Sequence, residues 1–308
     1  MRAESPRLVL VLAGVALVFA GSAPGVWAQG FEDVEIRTIE LAPDLYMMAG
    51  RGGNLAVSAG DDGVFLVDDQ YAPLTPKIRA AIAAVSDAPI RFVLNTHWHG
   101  DHTGGNENLG RAGALIFAHD NVRRRMSVEQ FMEALDRRVP PSPDAALPVV
   151  TFTEGVTFHL NGDQLHAFHV APAHTDGDAV VHFRAANVIH MGDVYFANGF
   201  PFVDLSSGGS IQGLIAAVDL VLGMADSKTR IIPGHGSLST RAELVEYRSM
   251  LVTIRDRVRD GLARGQSLDE LLAARPTREF DEVWGQGFID PPSFVRAVYR
   301  SLAATPPQ

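Results

Sequence analysis

The amino-acid sequence predicts a layered α/β protein, and three observations carry that prediction. Short β-type runs recur between turn residues, and segments of helical periodicity lie between several of them. The chain has 308 residues, 46% of them hydrophobic, which is enough to bury a full-sized core. One large domain with a small appendage is the natural organisation, and neither short-period repeats nor low-complexity tracts interrupt it.

The amino end stands apart. Arg2 and Arg7 precede the apolar run Leu8 to Ala20, and Val26-x-Ala28 supplies a small-residue cleavage pattern, so residues 1–28 read as a secretory signal. Gln29 then opens the mature chain. The apolar run is short for a spanning helix, which needs about 20 apolar residues, so no stable membrane anchor is expected after cleavage. A periplasmic or secreted location is the consequence.

Strands are expected at 64–67, 91–95, 114–118, 156–160, 179–183, 188–191 and 230–232. Several are continuously apolar, as in strands covered on both faces. The first helix is expected over 76–86, where Thr75 can cap, Pro76 suits the first turn, and Ile78, Ile82 and Val85 recur at helical spacing. Ser127 and Gln130 read as a capping box for a second helix over 127–138, ended by "VPPSPDAALP". Ser210 can start a third, running to about residue 222. After residue 240 the sequence turns helical: a long amphipathic segment, a second one boxed by Ser267 and Glu270, and a third over 291–302. Residues 29–240 therefore read as the catalytic domain and 241–308 as a helical C-terminal extension packed on it as scaffold.

Composition narrows the partners. The formal net charge is −10, and removal of Arg2, Arg7 and Glu4 with the leader makes it one unit more negative. An acidic surface repels phosphate backbones and anionic lipid, so nucleic acid is not expected as a partner and a small-molecule substrate is. There is no cysteine, so an exported chain gains nothing from disulfides, and any metal site must use nitrogen and oxygen donors.

Such donors crowd one place. His97, His99, Asp101 and His102 come after the apolar run "FVLN", at the C-terminal end of an expected strand, where a rigid sheet fixes a loop and frees its side chains. His97 and His99, two apart, can point the same way from extended chain. Glycines at 100, 104 and 105 permit a tight backbone path around Asp101 and His102. Four ligands within six residues exceed what one tetrahedral ion needs when distant segments must also contribute, which favours two adjacent metals. Three further candidates stand at comparable junctions: His174 opening "HTDGD", Asp193 ending "MGD", and His235 in "PGHG". The remaining histidines, at 119, 159, 166, 169, 182 and 190, share no motif and read as structural. Trp98 is expected to pack behind the site.

Taken in order, "HWHGDH", "HTDGD", "MGD" and "PGHG" resemble the metallo-β-lactamase superfamily over about residues 35–240. The resemblance implies a four-layer αββα sandwich with the site at one edge, between two similar halves. It assigns His97, His99 and His174 to one ion and Asp101, His102 and His235 to another, with Asp193 bridging them or binding the second. Two Zn2+ ions per chain are the expected cofactors, imidazole and carboxylate suiting zinc while tolerating iron or manganese. Asp68, ending "VFLVD", matches the family's buried aspartate behind a ligand histidine. Asp69 reads as a helix cap or a solvated residue, and Asp178 either supports the site or begins a strand.

The implied reaction is hydrolysis by a metal-bound hydroxide, two zinc ions lowering the pKa of water toward ~7, with Asp101 orienting the nucleophile and passing a proton. The bond cleaved would be a carboxylic amide or ester, including a β-lactam. The family's largest lactamase subclass has a cysteine at the position of Asp193 and a lysine soon after, whereas "VYFANGF" has neither. Asp193 instead resembles the bridging aspartate of glyoxalase II-like thioesterases, although "HTDGD" lacks their histidine after the glycine. An iron-dependent persulfide oxygenase and a non-catalytic periplasmic metal-binding protein are the remaining alternatives.

Overall fold

The computed structural model describes residues 30–304. The segment expected to be a signal, residues 1–28, lies outside the described residues. The first half of the chain runs through β1 (Arg37–Ala42), β2 (Leu45–Ala49), β3 (Leu55–Gly60), β4 (Gly63–Val67), α1 (Thr75–Ala83), β5 (Ile90–Leu94), α2 (Gly100–Thr103), α3 (Asn106–Arg111), β6 (Leu115–His119) and α4 (Asp120–Met126). A hairpin of β7 (Gln130–Met132) and β8 (Arg137–Val139) precedes β9 (Val150–Phe152). These strands, the hairpin excepted, form a seven-stranded sheet in the order β1-β2-β3-β4-β5-β6-β9.

The second half contains β10 (Gly155–Leu160), β11 (Asp163–His169), β12 (Ala179–Phe183), β13 (Val188–His190), α5 (Ile211–Met224), β14 (Arg230–Ile232) and β15 (Ser239–Thr240). Its six strands form a second sheet in chain order, antiparallel except for the parallel pair β13 and β14. The helices α6 (Arg241–Ala263), α7 (Leu268–Ala274), α8 (Asp281–Trp284) and α9 (Pro291–Ala303) follow.

Alternation along the strands builds the layers. In β4, Phe65 and Val67 face the second sheet, meeting Ala167, Val181 and Phe183 in a core between the sheets. Val64 and Leu66 face the other way, against Leu74, Ile78, Ile82 and Leu109 beside the first sheet's helices. On the far side, Val180 and Ile189 pack with Leu214 and Val218 of α5, Tyr247 and Ile254 of α6, and Phe294 of α9. The result is a helix-sheet-sheet-helix sandwich, the fold class the sequence predicts. Among the described residues, no helix is long and apolar enough to cross a membrane.

The expected helix over 127–138 is not formed. Ser127 closes α4 instead of opening a helix: its amide and its hydroxyl both donate to the Arg123 carbonyl. Gln130 binds Arg125 rather than a helix N-terminus. Asp136, left-handed at φ 46°, turns β7 into β8. The local cap signal was real chemistry serving the end of one helix. The later caps at Ser210 and Ser267/Glu270 form as expected, and the structure adds a reciprocal box at Thr240/Glu243 that opens α6.

Candidate metal centre

The site forms where strands of both sheets end. β5 leads into His97, and His99 precedes the single-turn α2, which carries Asp101 and His102. From the second sheet, His174 lies in the turn after β11, Asp193 in a 3-10 turn after β13, and His235 after β14. All seven sequence-predicted residues converge. Donor atoms of His97, His99, His174 and Asp193 lie within 4.8 Å of one another, as do those of Asp101, His102 and His235.

Asp193 stands between the two groups. Its Oδ2 is 3.8 Å from His97 Nε2 and 3.6 Å from His174 Nε2. Its Oδ1 is 3.0 Å from His102 Nε2 and 3.4 Å from His235 Nε2. On the other side of the second group, His235 Nε2 is 3.2 Å from Asp101 Oδ2. Two glycines keep the approach open: a Cβ on Gly234 would lie 2.0 Å from Asp193 Oδ1, and one on Gly53 would lie 2.1 Å from the His102 ring.

The outward nitrogen of each buried histidine fixes its tautomer. His99 Nε2 donates to Asp204 Oδ2 at 3.0 Å, His102 Nδ1 to Asp68 Oδ2 at 2.8 Å, and His174 Nδ1 to the Phe202 carbonyl at 2.6 Å. These partners only accept, so the proton sits on the outward nitrogen and a lone pair faces the cluster. For His97 the relay is longer. Thr96 Oγ1 donates to Asp68 Oδ2 and so accepts from His97 Nδ1, 3.1 Å away. His97 Nε2 and Asp193 Oδ1 are buried with no hydrogen-bond partner, although His102 Nε2 lies close to the latter without hydrogen-bond alignment. Converging lone pairs, two carboxylates and orphaned donors fit divalent cations.

The electrostatics divide the cluster. Burial pulls His102 and His235 down, but Asp193 and Asp101 outweigh it, holding His102 well above the ordinary imidazole pKa and His235 at about 9, so a cation at these two nitrogens displaces a proton. Burial holds His97 well below the ordinary imidazole pKa and brings His174 down to about 4. For Asp193, burial pulls upward, but His102, His235 and His97 outweigh it and hold the carboxyl well below its usual range. Asp101 likewise falls to about 2 despite burial, through His102 and His235.

Residues beside the cluster resolve the remaining expectations. Asp68 binds both His102 and Thr96, as expected of a supporting carboxylate. Asp69 is buried rather than solvated, and accepts from the Gly105 amide at the start of α3. Asp178 supports the site through the backbone, accepting from the His174 and Thr175 amides, and burial pushes it up to about 7. Trp98 is buried, donates to Ser207 Oγ, and also forms part of a cavity wall. Asp204 was not anticipated. It ends the run "FPFVD", and an acid closing an apolar stretch was the available signal.

A cavity of about 670 Å³ opens onto the cluster through His99, Asp101, Asp193 and His235. Its walls are mainly apolar, with Phe196, Phe200, Phe202 and Phe288 prominent, and Arg51 and Arg137 among the polar lining residues.

A sandwich of this kind, with paired histidine and carboxylate donors at the strand ends, defines a class of metal-site proteins. Residues 50–238 match the family model described as Metallo-beta-lactamase superfamily, and the chain belongs to that family. It is 24% identical over 165 residues to a Metallo-beta-lactamase type 2 of Bacteroides fragilis, covering 54% of this chain and 60% of that protein. It is 28% identical over 189 residues to a hydroxyacylglutathione hydrolase of Nitrosococcus oceani, covering 61% of this chain and 63% of the relative. The chain thus spans about three-fifths of the length of these curated relatives. Among solved structures, a metallo-beta-lactamase from Pontibacter korlensis superposes with a TM-score of 0.58 at 17% identity, covering 70% of this chain and 99% of that one. A stereoselective inverting sec-alkylsulfatase from a Pseudomonas species superposes with a TM-score of 0.64 at 18% identity, covering 89% of this chain and 51% of that one.

Proposed function

We propose that the protein is an exported binuclear zinc hydrolase that cleaves a carboxylic amide or ester bond in a small molecule. The observation that carries this reading is the convergence of seven donors whose outward histidine nitrogens are tied to acceptors. His97, His99 and His174 would hold one ion and Asp101, His102 and His235 the other, with Asp193 between them. When bound, such a pair supplies an acidified water and a Lewis acid for the substrate carbonyl.

The chain's own residues supply the positioning. Asp68, Asp204 and the Phe202 carbonyl orient the imidazoles before substrate arrives, so little reorganisation is left to the reaction. Asp101 sits at the cavity wall beside His235, where its carboxylate can take a proton from the attacking water and pass it to the leaving amine or alkoxide. Phe196 stacks on the His235 ring at 5.1 Å and limits that ring's freedom.

Metal analysis of the purified protein tests the proposal. About two zinc ions per chain, with hydrolysis of a lactam, lactone or ester abolished in His97→Ala, are expected. Far fewer than two ions and no gain on zinc addition would remove the basis for it. A thioester panel addresses a second reading, a glyoxalase II-like thioesterase. That reading draws on Asp193 at the bridging place and on the similarity to hydroxyacylglutathione hydrolases. Faster cleavage of thioesters than of matched oxygen esters and lactams would put it first.

A further inference from the structure

The cavity beside the donors is closed from two sides by elements outside the strand ends that carry them. On one side stands the β7–β8 hairpin, contributing Met132, Leu135 and Val139. On the other, the loop between α8 and α9 contributes Gly287 and Phe288. The two sides are fastened to each other and to the floor. Arg300 of α9 pairs with Glu133 in the hairpin turn at 3.0 Å. Phe200 stacks on Phe294 with centroids 4.9 Å apart and planes 12° apart, and its amide donates to the Trp284 carbonyl.

Within this arrangement Phe288 is anomalous. It is 73% exposed, yet its ring lies perpendicular to that of Phe202 with centroids 6.4 Å apart, and it lines the same space. Leu135, at 37%, is its exposed counterpart on the hairpin. Large apolar side chains held in water around a concave space are stabilised when an apolar ligand covers them. Asp101 and His235 line the same cavity.

We propose that the hairpin and the C-terminal extension form an apolar clamp for the non-reacting body of the substrate, so that the substrate is an acyl compound with a long hydrocarbon portion. Phe288 and Leu135 set this specificity. The assignment rests on the hydrolase reading for its catalytic meaning, while the clamp itself is a binding property measurable without turnover.

The test is calorimetric titration of the zinc-loaded full chain with straight-chain carboxylates from butanoate to decanoate. The constant head group cancels, and the dependence on chain length reports the clamp. The Kd is expected to fall roughly threefold per added methylene until the cavity is filled. Phe288→Ala and Leu135→Asn should each weaken decanoate by about tenfold with little effect on butanoate, and Phe288→Leu should restore most of the loss. A Kd independent of chain length, or a slope unchanged in Phe288→Ala, overturns the proposal. Hydrolysis of p-nitrophenyl esters of the same acids separates the two readings. A steep binding slope with no turnover of any substrate keeps the clamp and removes the hydrolase, whereas turnover with a flat binding slope does the reverse.

Discussion

Asp204 shows how a single carboxylate can decide the state of a donor two shells of atoms away. Burial would push its pKa up, but its hydrogen bond and charge interaction with His99, together with hydrogen bonds from Ser206 and Ser207, hold it below the usual carboxylate range. Asp204→Asn keeps an acceptor for His99 and removes the charge. Metal affinity is expected to fall about 10- to 100-fold, measured by competition with a chromophoric chelator, with the fold intact by circular dichroism. Gly234→Ala acts by space alone: the new methyl group would collide with Asp193 Oδ1, and loss of the second ion with a stability cost of about 1–3 kcal/mol is expected in denaturant titration. His119 lies outside the cluster, stacked on His169 at 3.8 Å and accepting from the Asn121 amide at the start of α4. Burial and the neighbouring His169 hold its pKa below the ordinary 6.5. The unfolded chain therefore binds a proton there more readily than the native one. The stability this gives is complete above that ordinary value and is lost as pH falls through it toward the depressed folded value. His119→Asn keeps an acceptor for the Asn121 amide, and its Tm should fall less steeply than the wild type's as pH drops from about 7 to 5.

The elements differ in how openly the sequence announces them, and the reasons are physical. β4, β12 and β14 are short, mostly apolar and bounded by turn residues, and they form within a residue of expectation. β11, reading DQLHAFH, carries polar residues on its outer face and histidine at its end, so only its pairing with β10 and β12 makes it a strand. β1 to β3 likewise depend on antiparallel neighbours, and their exposed outer strand lacks an apolar run. The donors were legible because chemistry is local in "HWHGDH", whereas Asp204 was not, because its meaning depends on a ring 105 residues earlier in the chain. Caps were legible in part: Ser210 and Ser267 cap their helices as expected, whereas Thr75 lies inside α1 and Ser127 ends α4. Asp290 accepts from the Ser293 amide at 2.7 Å, and Asp290→Ala should lower stability by about 1 kcal/mol in thermal unfolding, most of it from α9.

Considered as one body, the molecule divides its donors between its two sheets. The segment after β5 supplies His97, His99, Asp101 and His102, while segments after β11, β13 and β14 supply His174, Asp193 and His235. Cations held there would join the halves of a chain that has no cysteine. Chelation should therefore lower Tm, whereas zinc at a hundredfold excess over its Kd should add about 2.7 kcal/mol. An apo protein melting with the holo protein would show that the donors do not act together.

The stacking of Phe200 on Phe294 has a consequence for how such a chain can diversify. Because the cavity floor leans on the last helix, sequence drift near the carboxyl terminus can reshape what is accommodated without altering one metal donor. On the hydrolase reading, selectivity and reactivity are thereby inherited separately, and a lineage can try new molecules while its chemistry stays fixed.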